Sequence, residues 1–259
     1  MHLYIHIMGK QIPSYGLLIT IGILTANIIA FKYIKKTAFD INDFLILEAY
    51  CLLGGAIGAK LLYVILSFRT VDWKSIQSIT DWSVLINSGF VFYGGLIGGI
   101  IALYAGGRIH KIKTGEYIRN FIFMLPMIHA FGRLGCHMAG CCYGKPYSGI
   151  GAVVFPENSL AVPGIELFPV QLTEAGVLAL ITAVLFIVIK KSLSRQVLEL
   201  YLIMYGTARF FMEYLRYDDI RGIFGPFSTS QWISLGLILF SVISVVKKRF
   251  GFAFKKKFV

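Results

Sequence analysis

Charge is what this chain has least of. Of its 259 residues only 15% are charged, and 13 acidic residues face 25 Lys and Arg. A soluble domain carries about 25% charged residues, so an ordinary soluble enzyme is excluded. A hydrophobic share of 57% likewise excludes a disordered chain. Cysteine is scarce too: four residues cannot staple a disulfide-rich secreted domain. No C-x-x-C occurs, so neither a structural zinc site nor a dithiol redox centre is expected. Proline is rare outside one stretch, where Pro146, Pro156, Pro163 and Pro169 argue against a long helix. No simple tandem repeat is present. What abounds is apolar sequence, with a mean hydropathy of +0.73, and that composition reads as a multi-span membrane protein.

A helix crosses the roughly 30 Å hydrocarbon core with about 20 apolar residues. Seven stretches qualify: about 14–33, 44–66, 89–106, 119–140, 170–189, 197–215 and 230–246. The expected architecture is an all-α integral membrane protein of seven transmembrane helices. It forms one domain over 1–259, with an outer segment at about 141–169. The cations orient it. With the N-terminus outside, sixteen basic residues fall on the inner side, in clusters such as Lys32, Lys35 and Lys36 or Lys247, Lys248 and Arg249. Six fall outside: Lys10, Arg69, Lys74, Lys145, Arg216 and Arg221. Basic residues concentrate on the cytoplasmic side, so the N-terminus is expected outside and the C-terminus in the cytoplasm. The net charge of +12 is this bias rather than a phosphate-binding footprint, and no nucleic-acid partner is expected. One Lys precedes the first apolar run and no small-residue cleavage site follows before Lys32, so the first span is expected to remain in the mature chain.

An ionisable group deep in a span costs about 2.5–3.5 kcal/mol on insertion scales and marks a functional site by default. The fourth span carries His129, Arg133 and His137 at spacings of four, with Cys136 on the same side. The sixth carries Tyr205, Arg209, Glu213 and Arg216, again on one face. Two readings compete. Arg209 and Glu213 make an internal ion pair while Arg133 snorkels to the interface. Alternatively, two guanidiniums facing one carboxylate leave positive charge for an anion, and guanidinium forks suit phosphate. A phosphate-bearing lipid entering from the outer leaflet fits the second reading.

Gly54, Gly55 and Gly58, with Gly94, Gly95, Gly98 and Gly99, have the spacing of closely packed helices. The stretch Tyr93-Gly94-Gly95 offers a second use, letting a lipid headgroup approach the backbone. Cys51 reads as a buried small hydrophobe. Cys136, Cys141 and Cys142 form C-x4-CC. A Cys136–Cys141 disulfide is permitted on an outer face, and a reactive thiol beside Arg133 keeps covalent catalysis open.

Seven segments, in order from about residue 12 to 240, resemble the prolipoprotein diacylglyceryl transferase family. IPSYGLL resembles its Tyr-Gly element, and GAIGAKLLYV its Gly-Ala-Arg-x-x-Tyr element with Lys60 where Arg is usual. VFYGGLIGG is similar to His-Gly-Gly-Leu, and HAFGRLGCHMAGCCYGKP to the Gly-Arg-x-Gly-Asn signature. FPVQLTEA resembles Pro-x-Gln-Leu-Tyr-Glu, YGTARFFMEYLR resembles Tyr-Gly-x-x-Arg-Phe-x-x-Glu, and STSQWISL resembles Gly-Gln-x-x-Ser.

The resemblance implies a bacterial inner-membrane enzyme without a cofactor or metal. It would move the diacylglyceryl group of phosphatidylglycerol onto the lipobox cysteine of a prolipoprotein, releasing glycerol 1-phosphate. By the family pattern Arg133 and Arg209 hold the phosphate, Tyr205 and Glu213 position headgroup and Arg209, and Tyr15 and Gln171 line the site. Cys136 stands at the signature Asn, and Cys141 where an acidic residue is usual. Tyr93, followed by Gly94 and Gly95, stands where the family has a histidine base. A phenol with pKa near 10 is a poor base at neutral pH, so His129 is expected to take the proton. Tyr93 and the cysteines also motivate an alternative, the same lipid donor serving a non-lipoprotein acceptor such as a glycan. A transporter built on intramembrane charges and a thiol oxidoreductase are the remaining readings.

Overall fold

The computed structural model describes residues 3–7, 9–68, 78, 89, 91–217 and 222–257. Among them the elements run β1 (Tyr4–Ile7), β2 (Lys10–Pro13), α1 (Ser14–Ile34), α2 (Ile41–Ser67), α3 (Phe92–Ile109), α4 (Thr114–Phe121) and α5 (Met124–Ala139). There follow β3 (Val153–Val154), β4 (Glu166–Leu167), α6 (Val170–Lys190), α7 (Val197–Met212), β5 (Ile223–Phe224), β6 (Phe227–Ser228) and α8 (Thr229–Lys257). The strands form only two-stranded antiparallel ribbons, so the protein is helical as expected. Of the basic residues that bear on orientation, Arg69, Lys74 and Arg221 lie outside the described residues.

Five helices, α1, α2, α3, α6 and α8, are long and apolar enough to cross a membrane. The expected fourth span is not one straight helix. It divides into α4 and α5, bent by 51° at the break, and the pair together makes a sixth candidate span. Pro126 supplies the reason: it has no N–H for the Ile122 carbonyl, and its ring clashes there, so it is tolerated only in a first turn. The expected sixth span is shorter than its apolar run. Helix α7 has 16 residues and tightens into a 3-10 turn over Glu213–Leu215.

The helices group into two compact units. The smaller, Tyr33–Tyr117, is organised by α2 and α3. Asp40 caps α2 by accepting from the Asn42 and Asp43 amides at 2.6 and 3.1 Å, worth about 1 kcal/mol. The glycines then let α2 and α3 meet backbone to backbone. A Cβ on Gly94 would stand 2.3 Å from the Gly58 carbonyl oxygen, and one on Gly98 would stand 2.4 Å from that of Gly54. Leu52, Leu53, Ile57, Leu61 and Ile65 are exposed along α2, a continuous apolar face that suits lipid rather than water.

The larger unit holds residues 1–32 and 118–259. Helix α1 crosses α5 closely at Gly22, whose Cβ would lie 2.8 Å from that of Phe131. Helix α5 packs on α6, α6 on α7 and α7 on α8. The Phe123 and Phe186 rings meet edge to face at 5.1 Å. The proline-rich segment after α5 is a small cap built on Phe155, Ala161 and Leu167, with Tyr143 and Val153 against them. Main-chain bonds from Lys145 to Leu215 and from Tyr217 to Tyr143 stitch it to the end of α7. Helix α8 begins with a reciprocal capping box: the Ser228 amide donates to Gln231 Oε1 at 3.0 Å, and the Gln231 amide donates to Ser228 Oγ at 3.3 Å.

Candidate active site

The polar residues of α5, α6 and α7 converge inside the larger unit. One turn of α5 separates His129 from Arg133, and three residues more bring Cys136. Arg133 Nη2 lies 3.0 Å from Glu174 Oε1, and Arg209 Nη2 lies 2.9 Å from Glu213 Oε2. All four side chains are nearly removed from solvent, at 12% and 6% exposed for the first pair and 10% and 4% for the second. Burial on this scale is tolerable only because each charge has its counter-charge.

The expected imbalance of two guanidiniums against one carboxylate is therefore corrected by Glu174. It is the one acidic residue of the 170–189 run, and the rule that an ionisable residue in a span marks function singles it out. Sequence reasoning saw it only as part of the FPVQLTEA segment. Arg133 does not snorkel to the interface either, because its Glu174 partner holds it inside. Ser230 is a second residue that sequence reasoning missed. Its hydroxyl accepts from Arg209 Nη2 at 3.1 Å.

Each arginine retains donors beyond its ion pair. Arg133 Nε and Arg209 Nη1 are buried and have no hydrogen-bond acceptor among the described residues. Such donors cost about 1–3 kcal/mol each when left unmade, so they favour a ligand that accepts from them. Both guanidiniums lie within electrostatic reach of His129, and the His129 ring packs on Tyr205 with centroids 5.7 Å apart. Tyr205 in turn stacks on Tyr201 at 5.8 Å. Arg133, Arg209, His129, Tyr205 and Glu213 thus belong to one polar interior.

Tyr15, in the first turn of α1, lies against Gly135: a Cβ there would come 2.9 Å from its ring. It is within electrostatic reach of Cys136, Cys141 and Arg133. Gln171 is fully buried and donates from Nε2 to the Cys141 carbonyl at 2.9 Å. It positions the cysteine loop instead of presenting its amide to an open surface. Tyr93, Gly94 and Gly95 stand in the smaller unit, at the start of α3. Tyr93 is 43% exposed there, while Gly94 is buried against Gly58 and serves packing.

All four cysteines are free thiols, so the permitted Cys136–Cys141 bond is not formed. The Sγ atoms of Cys136, Cys141 and Cys142 nevertheless lie within 4.8 Å of one another. Hydrogen bonds from the Cys136 and Cys141 thiols hold Cys142 below its ordinary range, and Arg216 and Arg133 add to that effect. Beside α5 and α6 an apolar cavity of about 350 Å³ opens, lined among others by Ile29, Phe123, Met127, Phe131, Ala183 and Phe186. The Thr25 and Thr182 hydroxyls at its wall are turned to the carbonyls of their own helices, at 2.8 and 2.9 Å.

The chain is similar to known proteins along nearly its whole length. The profile of the family described as prolipoprotein diacylglyceryl transferase matches residues 2–247. A phosphatidylglycerol–prolipoprotein diacylglyceryl transferase of Clostridium tetani is 35% identical over 240 residues, covering 91% of this chain and 93% of its own. The second such enzyme of Clostridium perfringens is 31% identical over 238 residues, covering 92% and 91%. That of Finegoldia magna is 30% identical over 246 residues, covering 93% of each. With a match across nearly its whole length, and with the two-arginine interior, this chain belongs to the prolipoprotein diacylglyceryl transferase family.

Proposed function

We propose that the protein transfers the diacylglyceryl group of phosphatidylglycerol to the lipobox cysteine thiol of prolipoproteins, releasing glycerol 1-phosphate. The observation that carries the reading is the pair of buried guanidiniums, each anchored by one arm to a carboxylate and each with a further donor unmatched. Anchored donors aimed at a phosphate need no reorganisation as charge develops on it, which is how fixed dipoles lower a barrier. The reaction is a displacement at an sp3 carbon. The acceptor sulfur bonds to the glycerol carbon, the carbon–oxygen bond to phosphate breaks, and its electron pair leaves on the phosphate. The thiol proton goes to His129. A free thiol has pKa near 8.5, so a nearby base matters at neutral pH.

The apolar cavity of about 350 Å³ suits an acyl chain. In this reading the enzyme sits in the bacterial cytoplasmic membrane with seven spans, α7 with its 3-10 extension being one of them. Its N-terminus and cysteine loop face outside. The excess of basic residues on the opposite side supports that orientation. Expression in bacteria depleted of their own transferase tests the function. Lipoprotein modification and growth are expected to return, and failure despite stable membrane expression overturns the reading. His129→Ala is expected to raise the pH optimum of transfer; an unchanged profile removes His129 from the proton step.

A further inference from the structure

The three thiols at the end of α5 are not used by the mechanism above, and their backbone is arranged with some cost. Gly140 ends the helix at φ 73, turning the chain so that the Cys141 amide donates to the Cys136 carbonyl at 3.1 Å. Gln171 holds the Cys141 carbonyl from α6. Cys142 then adopts φ 57, a left-handed conformation that costs a non-glycine residue about 1–2 kcal/mol. Strain of this kind persists where surroundings over-determine it and clusters at ligand clamps. The effect is to bring Cys142 Sγ to the other two.

We propose that Cys136, Cys141 and Cys142 form a three-thiolate site for a zinc-class divalent ion, with its fourth position left for an incoming thiol. Zinc–sulfur bonds of about 2.3 Å in a tetrahedron place sulfurs about 3.8 Å apart. The observed separations, all within 4.8 Å, meet that with shifts of about 1 Å or less. Thiolates select zinc and copper(I) over hard cations. Among the described residues no other group of three potential ligands comes together in this way. Cys136 is buried while Cys141 and Cys142 are half-buried, so approach to the trio is by way of Cys141 and Cys142. Three ligands with an open position is the pattern of a reactive rather than a structural zinc site. Three thiolates and one divalent ion carry a net charge of −1, and the Arg216 guanidinium lies within electrostatic reach of Cys142.

The fourth position rests on the transferase reading. An acceptor thiol bound there loses its proton on coordination, the proton passing through water to His129, which stands about 10 Å along α5 from Cys136. The metal-held sulfur then forms the bond to the glycerol carbon as the phosphate departs with its electron pair.

The test uses the full-length protein in detergent, reduced, stripped with chelator and titrated with cobalt(II). A thiolate-to-cobalt charge-transfer band saturating at a single equivalent is expected, with zinc displacing it. Outer-shell changes cost roughly 10–100-fold in metal affinity. Cys136→Ser, Cys141→Ser and Cys142→Ser are therefore each expected to cost about 100-fold or more, and Cys51→Ser to cost nothing. In the unmodified chain zinc is expected to protect these three thiols, but not Cys51, from alkylation read by mass spectrometry, which does not depend on any variant folding. No band, a band indifferent to all three substitutions, equal alkylation with and without zinc, or a disulfide among the three in freshly isolated protein overturns the site. A lipobox peptide is expected to shift the cobalt band and its Cys→Ser counterpart to leave it; no shift overturns the open position. These readouts stand apart from activity. A chain that binds cobalt this way yet transfers nothing retains the metal site and loses the transferase reading. Full transfer by metal-free protein keeps the transferase reading and overturns the role given to the fourth position, leaving the site itself to the cobalt titration.

Discussion

Between α2 and α3 the helices meet with almost nothing between them, whereas α5 meets α6 through a buried charged pair, Arg133 with Glu174. In lipid, burying apolar surface gives little drive for helices to associate, and either close backbone contact or polar contact must supply it. The glycine seam uses the first means. The polar interior uses the second where Arg133 of α5 pairs with Glu174 of α6, while Arg209 and Glu213 pair along a single helical segment. At Gly54, Gly58, Gly94 and Gly98 the seam has no room for an added atom. A set of buried charges tolerates no removed one.

That contrast is broken most severely by removing an arginine. Arg133→Ala and Arg209→Ala are each expected to lower transfer by about 10²–10³-fold, the loss of a fixed donor to developing charge. Assay with phosphatidylglycerol and a lipobox peptide checks this, and near-normal rates in both would sink the phosphate clamp. Glu174→Gln is next. It leaves Arg133 buried without its counter-charge, and breaking a buried pair is strongly destabilising. About tenfold slower transfer and a lower thermal midpoint in detergent are expected. If neither changes, Glu174 is a bystander.

In the seam the sign is reversed, because adding volume is what harms. Gly94→Val must push apart backbones already in contact, and overpacking typically costs about 1–3 kcal/mol. Thermal melting should register it as a clear drop. Gly176 sharpens the comparison from the other side. It lies inside α6, and a Cβ placed there would meet nothing within 4 Å, so Gly176→Ala should stabilise by about 0.5–1 kcal/mol through helix propensity alone. Destabilisation there would mean that the space around it is filled in the membrane.

Five spans, and a sixth as the bent α4–α5 pair, were legible because hydrocarbon thickness imposes a length that apolar runs display openly. Arg133 and Arg209 were legible for the opposite reason, as charges in segments that should lack them. Glu174 obeyed the same rule and was passed over, since it sat inside a recognised motif and near a helix start. The break at Pro126 was written in the sequence, but the surrounding apolar run is long enough to hide it. Convergence of the three thiols was not legible at all. It depends on left-handed backbone at Gly140 and Cys142, and spacing along the chain carries no record of φ. Gln171 was legible as a polar residue at a helix start, but not that its amide would grip the Cys141 main-chain carbonyl.

The first turn of α8 bears on how Arg209 works. Ser230 accepts from its guanidinium, and the neighbouring Gln231 both closes the helix cap with Ser228 and donates to the Phe210 carbonyl at 3.3 Å. The guanidinium is thus steadied from two sides, by a carboxylate on its own helix and by a hydroxyl that the next helix keeps still. If the lipid of the proposed reaction competes for one of these handholds, the other keeps the group in place. Reloading after each turnover then requires no search by a long, loose side chain.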